Sequence, residues 1–594
     1  MALFPKTPGV YVQEISTLPP SVAPVPTAIP VFIGYTQKAI IDGKEWDHST
    51  KGATDPIRVE SLLDYNAIFG GAYIGGPYTD IYTATITNTS VSLSSAYSEF
   101  NLYTNLQMFY ANGGGTCYII SVGTYLDTMD GTKLLDAIAR AEKVDEITMV
   151  IVPEATATVT AVANKFEDIN NGMLGHCAKM QDRFALLDVK HTSTIATDAS
   201  NFRSNGVGIN NLNYGAAYYP PLITTLVTPF ADYNIKVDDQ RTGVGFPVYI
   251  DNATNSYNNL FSVKNGLAAW ARIFPGWPGA VSGTSYITVN GIKFTAGKDF
   301  DISSQSAAAE TLKNAINSHP TLSITLVAVS AGHSGGYLGL IAKNSSINGM
   351  GITLTASDTG TGEFIESPDS GPNFGFFNDG AGGGQDTALY NSILDLLNAK
   401  VLTLHPSSTM AGIYTAVDNS RGVWKAPANV SVNLVSAPLV SITDADQAGL
   451  NVDSNAGKSI DAIRTFNGRG TLVWGARTLD GNSNDFRYVN VRRTLIFIEH
   501  SCKLASEFVV FEPNDKNTWL RVKGMIGNFL NNVWRDGGLV GDKPDQAYFV
   551  KVGLGETMTA QDILEGRLIV TIGLAISHPA EFIILNFEHK LQEA

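Results

Sequence analysis

The fold is decided by three short apolar runs: CYIISV at residues 117–122, ITMVIV at 147–152 and RFALLDV at 183–189. Apolar runs of this length between polar turns are typical of buried strands. The segments between them, 133–143 and 161–180, carry apolar residues at helical spacing. Strands that alternate with helices indicate βαβ units on a mainly parallel sheet. The stretch from Gly113 to Tyr219 therefore predicts an α/β domain.

Residues 480–594 carry a second clear pattern. A helix is predicted over Thr518–Trp534, ended by Gly537 and Gly538, because its apolar residues share one face. These residues are Trp519, Val522, Ile526, Phe529, Leu530 and Val533. Strands are predicted at 507–511, 547–552, 568–576 and 581–587, with 493–499 as either a strand or the end of a helix. A separate C-terminal domain that finishes on an apolar strand is expected.

Residues 276–366 differ in composition from the rest of the chain and are rich in Thr, Ser and Gly. Tyr286–Val289 and Ile292–Phe294 flank Asn290-Gly291, which indicates a hairpin with a type I′ turn. One amphipathic helix around residues 308–316 and strands at 323–330, 337–342 and 351–356 follow. This pattern predicts a small α+β module inserted into a surface loop of the larger domain. Another helix is predicted over residues 386–400.

The first 40 residues carry seven prolines, which hold the backbone extended and exclude a helix. The segment Val10–Ile15 is rich in β-forming residues and is predicted to be one isolated strand. It has no hairpin partner nearby in the sequence. We therefore expect it to pair with a distant strand, either in this chain or in another one.

The predicted fold class is a multidomain combination of α/β and α+β structure. The predicted divisions are an N-terminal strand and proline-rich arm at 1–40, an outward region with the α/β domain at 41–275, an inserted β-rich surface module at 276–366, the completion of the α/β domain at 367–479, and a C-terminal domain at 480–594.

Composition narrows the classes of function. The chain has 594 residues with a formal net charge of -15, which argues against a broad basic surface for nucleic acid. No apolar run approaches the roughly 18–20 residues of a membrane span, and the N-terminus lacks the apolar core of a signal peptide. The three cysteines lie far apart, so no disulfide framework or Cys-x-x-Cys metal site is expected. A soluble chain made in a reducing compartment is predicted.

Only 16% of the residues are charged, against about 25% in ordinary soluble chains. Two explanations stay open at this point. The chain is either loop-rich, or much of its surface is covered by other subunits, since interface cores are depleted of charge.

Three glycine-rich motifs resemble known catalytic or cofactor-binding loops, but each lacks a feature that such a loop requires. Gly457-Lys458-Ser459 resembles a phosphate loop but does not follow a buried strand. Gly332-His333-Ser334-Gly335-Gly336 matches a nucleophile elbow but lies between two predicted strands. Gly380–Gly384 lacks the third glycine of a dinucleotide loop. The nine histidines show no metal-ligand spacing. No catalytic residue, cofactor or metal is predicted.

Several ordered motifs resemble the contractile tail sheath proteins of phages and phage-like injection machines. The N-terminal matches are Pro8-Gly9-Val10-Tyr11-Val12-Gln13-Glu14 and Phe32-Ile33-Gly34-Tyr35-Thr36. Further matches are Arg421–Asn429, Ile463–Gly470, Val473–Leu479, Tyr488–Arg493, Phe511–Asn514, Trp534–Gly537 and Pro579–Phe582. The matches cover about 1–40, 100–275 and 385–594, while 276–366 has little similarity. The opening of the chain is most like the sheaths of extracellular contractile injection systems.

The resemblance implies a structural, non-enzymatic subunit of a contractile sheath. Such subunits polymerise as stacked rings or a helical sheath around an inner tube, and contract from a metastable extended state to drive the tube through a target envelope. Implied partners are further copies of this chain, the inner tube protein, and baseplate and terminal cap proteins, with no nucleic acid and no direct membrane insertion. Assembly in the bacterial cytoplasm, and a place in a virion tail or a released tail-like particle, follow from the same resemblance.

The resemblance also implies particular residues and a fold. A sheath core built from both chain ends and a middle domain of subtilisin-like topology are expected. The residues expected to exchange strands between subunits are Val10, Tyr11, Val12, Glu14, Phe582, Ile583, Ile584 and Leu585. Arg521, Lys523 and Arg535 are expected to contact the inner tube.

Two alternatives stay open. One is a static tube or shell protein that assembles without shortening. The other is a serine hydrolase on the subtilisin-like domain, with Ser334 or Ser408 as the nucleophile, although Thr409 stands where a protease needs its serine.

Overall fold

The structure is a computed structural model. It describes residues 22–74, 82–87, 89–95, 99–230, 235–239, 270–273, 286–289, 292–295, 298–299, 305–319, 322, 326–331, 337–342, 354–357, 365–366, 387–453 and 457–582. The chain divides into two compact units, one with residues 1–71, 102–224 and 403–594 and the other with residues 72–101 and 225–402.

A nine-stranded sheet organises the first unit. Its strands in spatial order are Ile57–Val59, Cys117–Thr124, Pro30–Thr36, Met149–Ile151, Phe184–Asp188, Gly215–Tyr219, Asp461–Phe466, Gly470–Val473 and Val430–Ser431. Neighbours from Cys117–Thr124 to Asp461–Phe466 run parallel, and the outer strands on both sides pair antiparallel. The three apolar runs that predict a parallel sheet lie in this sheet, so the α/β prediction is confirmed.

The strand Pro30–Thr36 lies inside the sheet although it falls within the predicted arm at 1–40. All seven of its residues are buried, and Val31 pairs with both Tyr118 and Val150. Its apolar side chains are needed between two parallel neighbours, because strands buried on both faces read as continuous hydrophobic runs.

Helices cover the sheet of the first unit. The α-helices are His48–Lys51, Leu62–Phe69, Leu102–Ala111, Gly131–Ile138, Thr160–Ala163, Phe166–Met180, Ile195–Asn201, Ser407–Arg421 and Asp444–Asn451. Shorter turns are Ala139–Lys143, Pro153–Thr156, Phe202–Gly206 and Leu212–Tyr214, and the remaining strands are Ile40–Ile41, Lys44–Glu45, Leu222–Val227 and Val435–Pro438. One buried cluster includes Phe32 and Phe109, whose rings meet edge to face with centroids 5.1 Å apart.

The C-terminal part of this unit consists of helices and a small sheet. Its helices are Val489–Ala505, Lys516–Arg535, Pro544–Ala547 and Ala560–Leu564, with a 3-10 turn at Glu507–Val509, and its strands are Tyr548–Lys551 and Thr571–Leu574. The two predicted strands at 547–552 and 568–576 are confirmed, and 493–499 lies inside a helix. The predicted strand at 507–511 is wrong, because Phe511 has a φ of 68°, outside the β region.

The second unit contains three small sheets. Tyr82–Ile86 pairs antiparallel with Val91–Ser95 and parallel with Ile235–Asp239. The other strands are Trp270–Ile273, Leu326–Ala331, Tyr337–Ala342 and Ile365–Glu366 in one sheet, and Tyr286–Val289, Ile292–Thr295 and Leu354–Ser357 in another. Two helices, Gln305–Ser318 and Thr387–Asn398, and the strand Val401–Leu404 at the boundary complete the elements. The predicted hairpin at 286–294 is confirmed.

Candidate interaction surfaces of the first unit

The C-terminal part has its own apolar core. Helix Lys516–Arg535 begins after Asp515, whose carboxylate accepts hydrogen bonds from the backbone N–H groups of Asn517 and Thr518. Its inward face packs with helix Val489–Ala505, and the rings of Phe497 and Phe529 lie 5.7 Å apart. The predicted inward residues are buried except Trp519, which is half-buried, and Thr518 and Met525 join them.

The three residues predicted to contact an inner tube lie on the exposed side of this helix. Arg521, Lys523 and Arg535 are all exposed, next to the exposed apolar Leu520. Arg521 stacks over the ring of Phe508 at 5.2 Å. In the described parts of the chain, no carboxylate lies within ion-pairing distance of Lys523 or Arg535. Among the described residues, therefore, no ion pair neutralises the positive charge at Lys523 and Arg535.

The small C-terminal sheet has two described strands, and just beyond the second one Ile576 forms a single antiparallel bridge to Leu539. Tyr548–Lys551 pairs antiparallel with Thr571–Leu574, and neither strand has a second partner strand among the described residues. Phe549 on this sheet is exposed although it is a large apolar residue. A lone two-stranded sheet is marginally stable in water, and an open edge offers unpaired N–H and C=O groups to another chain. The sheet is suited to accept an extended segment as a further strand.

Only one of the eight residues predicted to exchange strands lies among the described residues. Val10, Tyr11, Val12, Glu14, Ile583, Ile584 and Leu585 lie outside the described residues. Phe582 is described, forms no strand, and has 72% of its surface exposed.

The first described residues are attached firmly to the body. We call residues 22–29 the N-terminal root. Val22 is buried in the C-terminal core, and the Thr27 hydroxyl donates to Asp418 at 2.6 Å. Arg493 binds both oxygens of Asp418 at 3.0 and 2.6 Å and donates to the Thr27 carbonyl at 2.9 Å. The root then enters the central strand Pro30–Thr36.

The last described residues are attached to the body at two positions, Ser577 and Glu581. The Ser577 hydroxyl donates to the Gly537 carbonyl at 2.8 Å, and the Ser577 carbonyl accepts from Asn490 Nδ2 at 3.1 Å. We call residues 577–582 the C-terminal root. Arg477 contacts both oxygens of the Glu581 carboxylate, the shortest contact being 2.6 Å. The same carboxylate accepts from Asn451 Nδ2 at 2.7 Å and from the Tyr488 hydroxyl at 3.0 Å. Burial opposes ionisation of Glu581, but the hydrogen bonds from Arg477 and Asn451 outweigh it and lower its pKa.

Buried polar groups connect the two roots through the sheet. The Arg493 guanidinium lies over the Tyr414 ring at 4.5 Å, and the Tyr414 hydroxyl meets the Tyr218 hydroxyl at 2.7 Å. Tyr218 is paired in register with Asp461, whose carboxylate accepts from the backbone N–H of Arg477 at 2.8 Å. Side-chain contacts and one pair of neighbouring strand residues therefore connect the N-terminal root to the C-terminal root.

An open cleft of about 750 Å³ lies beside the C-terminal root. Aromatic residues Trp424, Trp474, Tyr488 and Phe582 line it together with Glu581. The residues that sequence reasoning missed are the pairs Arg477–Glu581 and Arg493–Asp418. Each pair brings together positions far apart in the chain, and the only available signal was that three of these four residues stand in sheath-like motifs.

The residues considered for catalysis have structural surroundings. Ser408 and Thr409 are buried at the start of helix Ser407–Arg421, and the Ser408 hydroxyl has no hydrogen-bond partner within the described structure. His405 contacts Thr156 at 3.0 Å, and burial lowers the pKa of His405 to about 4. Lys458 donates its ammonium to the backbone carbonyls of Arg203 and Val207, so it is not a free phosphate ligand. Ser334 and Gly380–Gly384 lie outside the described residues.

Two kinds of site are absent from the described residues. No helix there combines the length and apolar character needed to cross a membrane. No group of three or more histidine, cysteine and acidic side chains there is placed to hold a metal ion.

Comparisons with known proteins agree on one class of protein. Over 98–99% of its length the chain has the fold of chains from a sheath complex of an extracellular contractile injection system and from the sheath and baseplate of the anti-feeding prophage. The PVC sheath complex in the contracted state has a TM-score of 0.50 at 23% identity, covering 99% of both chains. The helical sheath of the anti-feeding prophage in its contracted state has a TM-score of 0.51 at 22% identity, covering 99% of this chain and 100% of that one.

The sequence comparisons find similarity to tail sheath proteins over parts of the chain. Residues 482–590 match the phage tail sheath C-terminal domain. The tail sheath protein of Vibrio phage KVP40 is 24% identical over 179 residues, which are 30% of this chain and 25% of that protein. The matched stretch thus spans about a quarter of the curated relative. The predicted resemblance to tail sheath proteins is confirmed.

Proposed function

We propose that this chain is the structural subunit of a contractile sheath. The observation that carries the proposal is a phage tail sheath C-terminal domain joined to the complete fold of injection-system sheaths. The similar structures are described as sheath complexes, helical sheaths and baseplates, which favours an assembly of many copies bound to a baseplate.

Strand exchange would link the subunits. The open edges of the sheet formed by Tyr548–Lys551 and Thr571–Leu574 offer main-chain hydrogen bonds to the predicted strands around Val10–Glu14 and Phe582–Leu585 of neighbouring copies. Main-chain pairing holds two subunits together while the linkers allow their bodies to rotate. Shortening would release energy as the bodies form larger contacts, so the switch needs no nucleotide.

The inner tube would lie against helix Lys516–Arg535. Arg521, Lys523 and Arg535 are exposed on a chain whose net charge is -15, so they form a local positive surface. A charged contact gives orientation and fast association with modest affinity, which suits a surface that must release the tube on firing. Terminal cap proteins complete the proposed set of partners.

The finer features of the fold and setting belong to the same proposal. We infer a middle domain of subtilisin-like topology that has kept no catalytic role, and a sheath core built from both chain ends. The insert at 276–366 would face outward. The particle would assemble in the bacterial cytoplasm and act after release or as part of a virion tail.

Negative-stain electron microscopy of particles from the native producer tests the function. We expect striated cylinders in a long, narrow form and a short, wide form, with this chain identified in both by mass spectrometry. Cylinders of one fixed length under all conditions, including mild denaturant, would instead support a static tube or shell protein.

A further inference from the structure

The roots of the two predicted arms differ in how deeply their arginine–carboxylate contacts are buried. At the N-terminal root, the side chains of Arg493 and Asp418 are 4% and 3% exposed. At the C-terminal root, the side chains of Arg477 and Glu581 are 7% and 22% exposed. The carboxylate that holds the C-terminal root is therefore the one that water reaches.

Beyond Ser577, which holds the start of the C-terminal root, the number of attachments differs in the same direction. Along the N-terminal root, the N–H of Val25 donates to Ser501, Thr27 binds Asp418 and Arg493, and the N–H of Ile29 donates to Thr148 at 2.7 Å. In residues 579–582, Glu581 makes all the hydrogen bonds recorded to the rest of the described chain. One side chain thus carries the attachment of that segment.

The cleft beside Glu581 provides a way for the contact to open. Asn451, Arg477 and Tyr488, the three donors to this carboxylate, all line the cleft. Groups that face a wet cleft can exchange their mutual hydrogen bonds for hydrogen bonds to water, whereas a fully buried pair that separates leaves unpaired charges. Opening the Arg477–Glu581 contact is therefore far less costly than opening the Arg493–Asp418 contact.

We propose that Glu581 is a releasable anchor: it holds residues 579–582 to the body and lets go when neighbouring bodies rotate, while the Arg493–Asp418 contact stays closed. This inference rests on the proposed sheath function. It assigns the change in arm direction on shortening to the C-terminal root, and it makes Arg477, Asn451 and Tyr488 the positioning residues of that root.

Nitroxide labels on the full chain test the anchor directly. Phe582→Cys and Ala23→Cys place a label on an exposed position of each root, and the native Cys117, Cys177 and Cys502 are buried. In the free subunit, we expect E581Q to raise the mobility of the label at 582 severalfold and to leave the label at 23 unchanged. Equal mobility at 582 with and without E581Q would overturn the anchor. If E581Q fails to fold, Asn451→Ala is the milder variant, because it removes one hydrogen bond to the Glu581 carboxylate and leaves the carboxylate in place.

The second measurement compares sheaths before and after shortening. We expect the mobility of the label at 582 to change severalfold on shortening while the label at 23 stays constant, and E581Q sheaths to shorten at a lower guanidinium concentration. Glu60→Gln, which removes an exposed ion pair with Arg58, should keep the wild-type threshold. Two results would refute the proposed release of Glu581. One is a change in label mobility at position 23 on shortening, and the other is an E581Q sheath that shortens at the wild-type guanidinium concentration. If no wild-type sheath shortens, the proposed function fails, and the free-subunit labels still decide whether Glu581 is an anchor.

Discussion

Asp188 ends a strand of the central sheet and is almost fully buried. Its carboxylate accepts hydrogen bonds from the Ser407 N–H at 2.8 Å and the Ser407 hydroxyl at 2.5 Å, so it joins the sheet to the start of helix Ser407–Arg421. Burial raises the pKa of Asp188 to about 7, although the two hydrogen bonds from Ser407 oppose this rise.

We predict a pH dependence of stability from this residue. The folded-state pKa lies above the unfolded value of about 3.9, so the folded chain binds the extra proton more tightly. The contribution of Asp188 to the free energy of unfolding is fully present below about pH 4 and is lost as the pH rises to about 7. Asp188→Asn keeps both contacts with Ser407 without titrating. Relative to wild type, the variant should therefore gain up to about 4 kcal/mol between these limits, measured by denaturation at a series of pH values.

The control for this prediction is Asp545→Asn, at an exposed position in the first turn of helix Pro544–Ala547. It should follow the wild-type curve. Parallel curves for wild type and Asp188→Asn would show that Asp188 stays ionised in the folded chain over this pH range.

Single residues were the least predictable from the sequence. Arg477 and Glu581 are 104 positions apart, and Arg493 and Asp418 are 75 apart. Their pairing depends on how the sheet and helices pack, which no local pattern encodes. The exposed charges at Arg521, Lys523 and Arg535 were predictable, because they fall between the apolar positions of a strongly periodic helix.

Elements with a strong period were predicted well. Helix Lys516–Arg535 extends the predicted Thr518–Trp534 by two residues at its start and by one at its end. The N-cap at Asp515 sets the start of the helix. The segment Glu507–Phe511 shows the limit of composition. It is rich in β-forming residues, but it has no neighbouring strand, and a turn of 3-10 helix forms instead.

At the scale of this helix, we predict that charge controls tube binding. The triple variant Arg521→Glu, Lys523→Glu, Arg535→Glu should bind purified inner tube about tenfold or more weakly at low salt, with a smaller difference at high salt. Co-sedimentation of variant subunits with tube over a salt series measures the effect.

A matched control carries the same charge change elsewhere. Lys44→Glu, Lys133→Glu and Lys503→Glu are exposed positions of the first unit, outside the helix. This control should bind the tube as wild type does, apart from the general effect of net charge. Equal losses in both triple variants would mean that the helix is not the contact.

At the scale of the whole molecule, we predict that deletion of residues 1–17 separates folding from assembly. The described core of the first unit begins at Val22 and includes the complete central sheet. The truncated chain should therefore give folded monomers with a thermal midpoint close to wild type that form no cylinders. Size-exclusion chromatography and electron microscopy measure the two properties.

Val12→Asp in the full chain is the matched variant, because it keeps the length and places a charge in the predicted exchange strand. It should weaken polymerisation in the same direction as the deletion. Normal sheaths from the truncated chain would show that the N-terminal strand does not link subunits.

The architecture was predictable in class and less so in connectivity. The alternation of strands and helices over 113–219 gave the parallel sheet its central members. Pro30–Thr36 and Asp461–Phe466 join that sheet from the two ends of the chain, and their places follow from long-range packing. The low charge was ambiguous between loops and covered surfaces, and the exposed Phe549 and the exposed cations of helix Lys516–Arg535 favour the second explanation.

The position of Pro30–Thr36 has a mechanical consequence. The N-terminal root continues into this strand, which pairs in parallel with Cys117–Thr124 over Val31–Thr36 and with Met149–Ile151 over Pro30–Phe32. A pull on the start of this strand along its own axis acts at a large angle to its hydrogen bonds, so it loads both ladders in shear rather than opening them one bond at a time. Tension that reaches this strand is therefore shared by many hydrogen bonds at once, because the strand lies in the middle of the sheet and not at its edge.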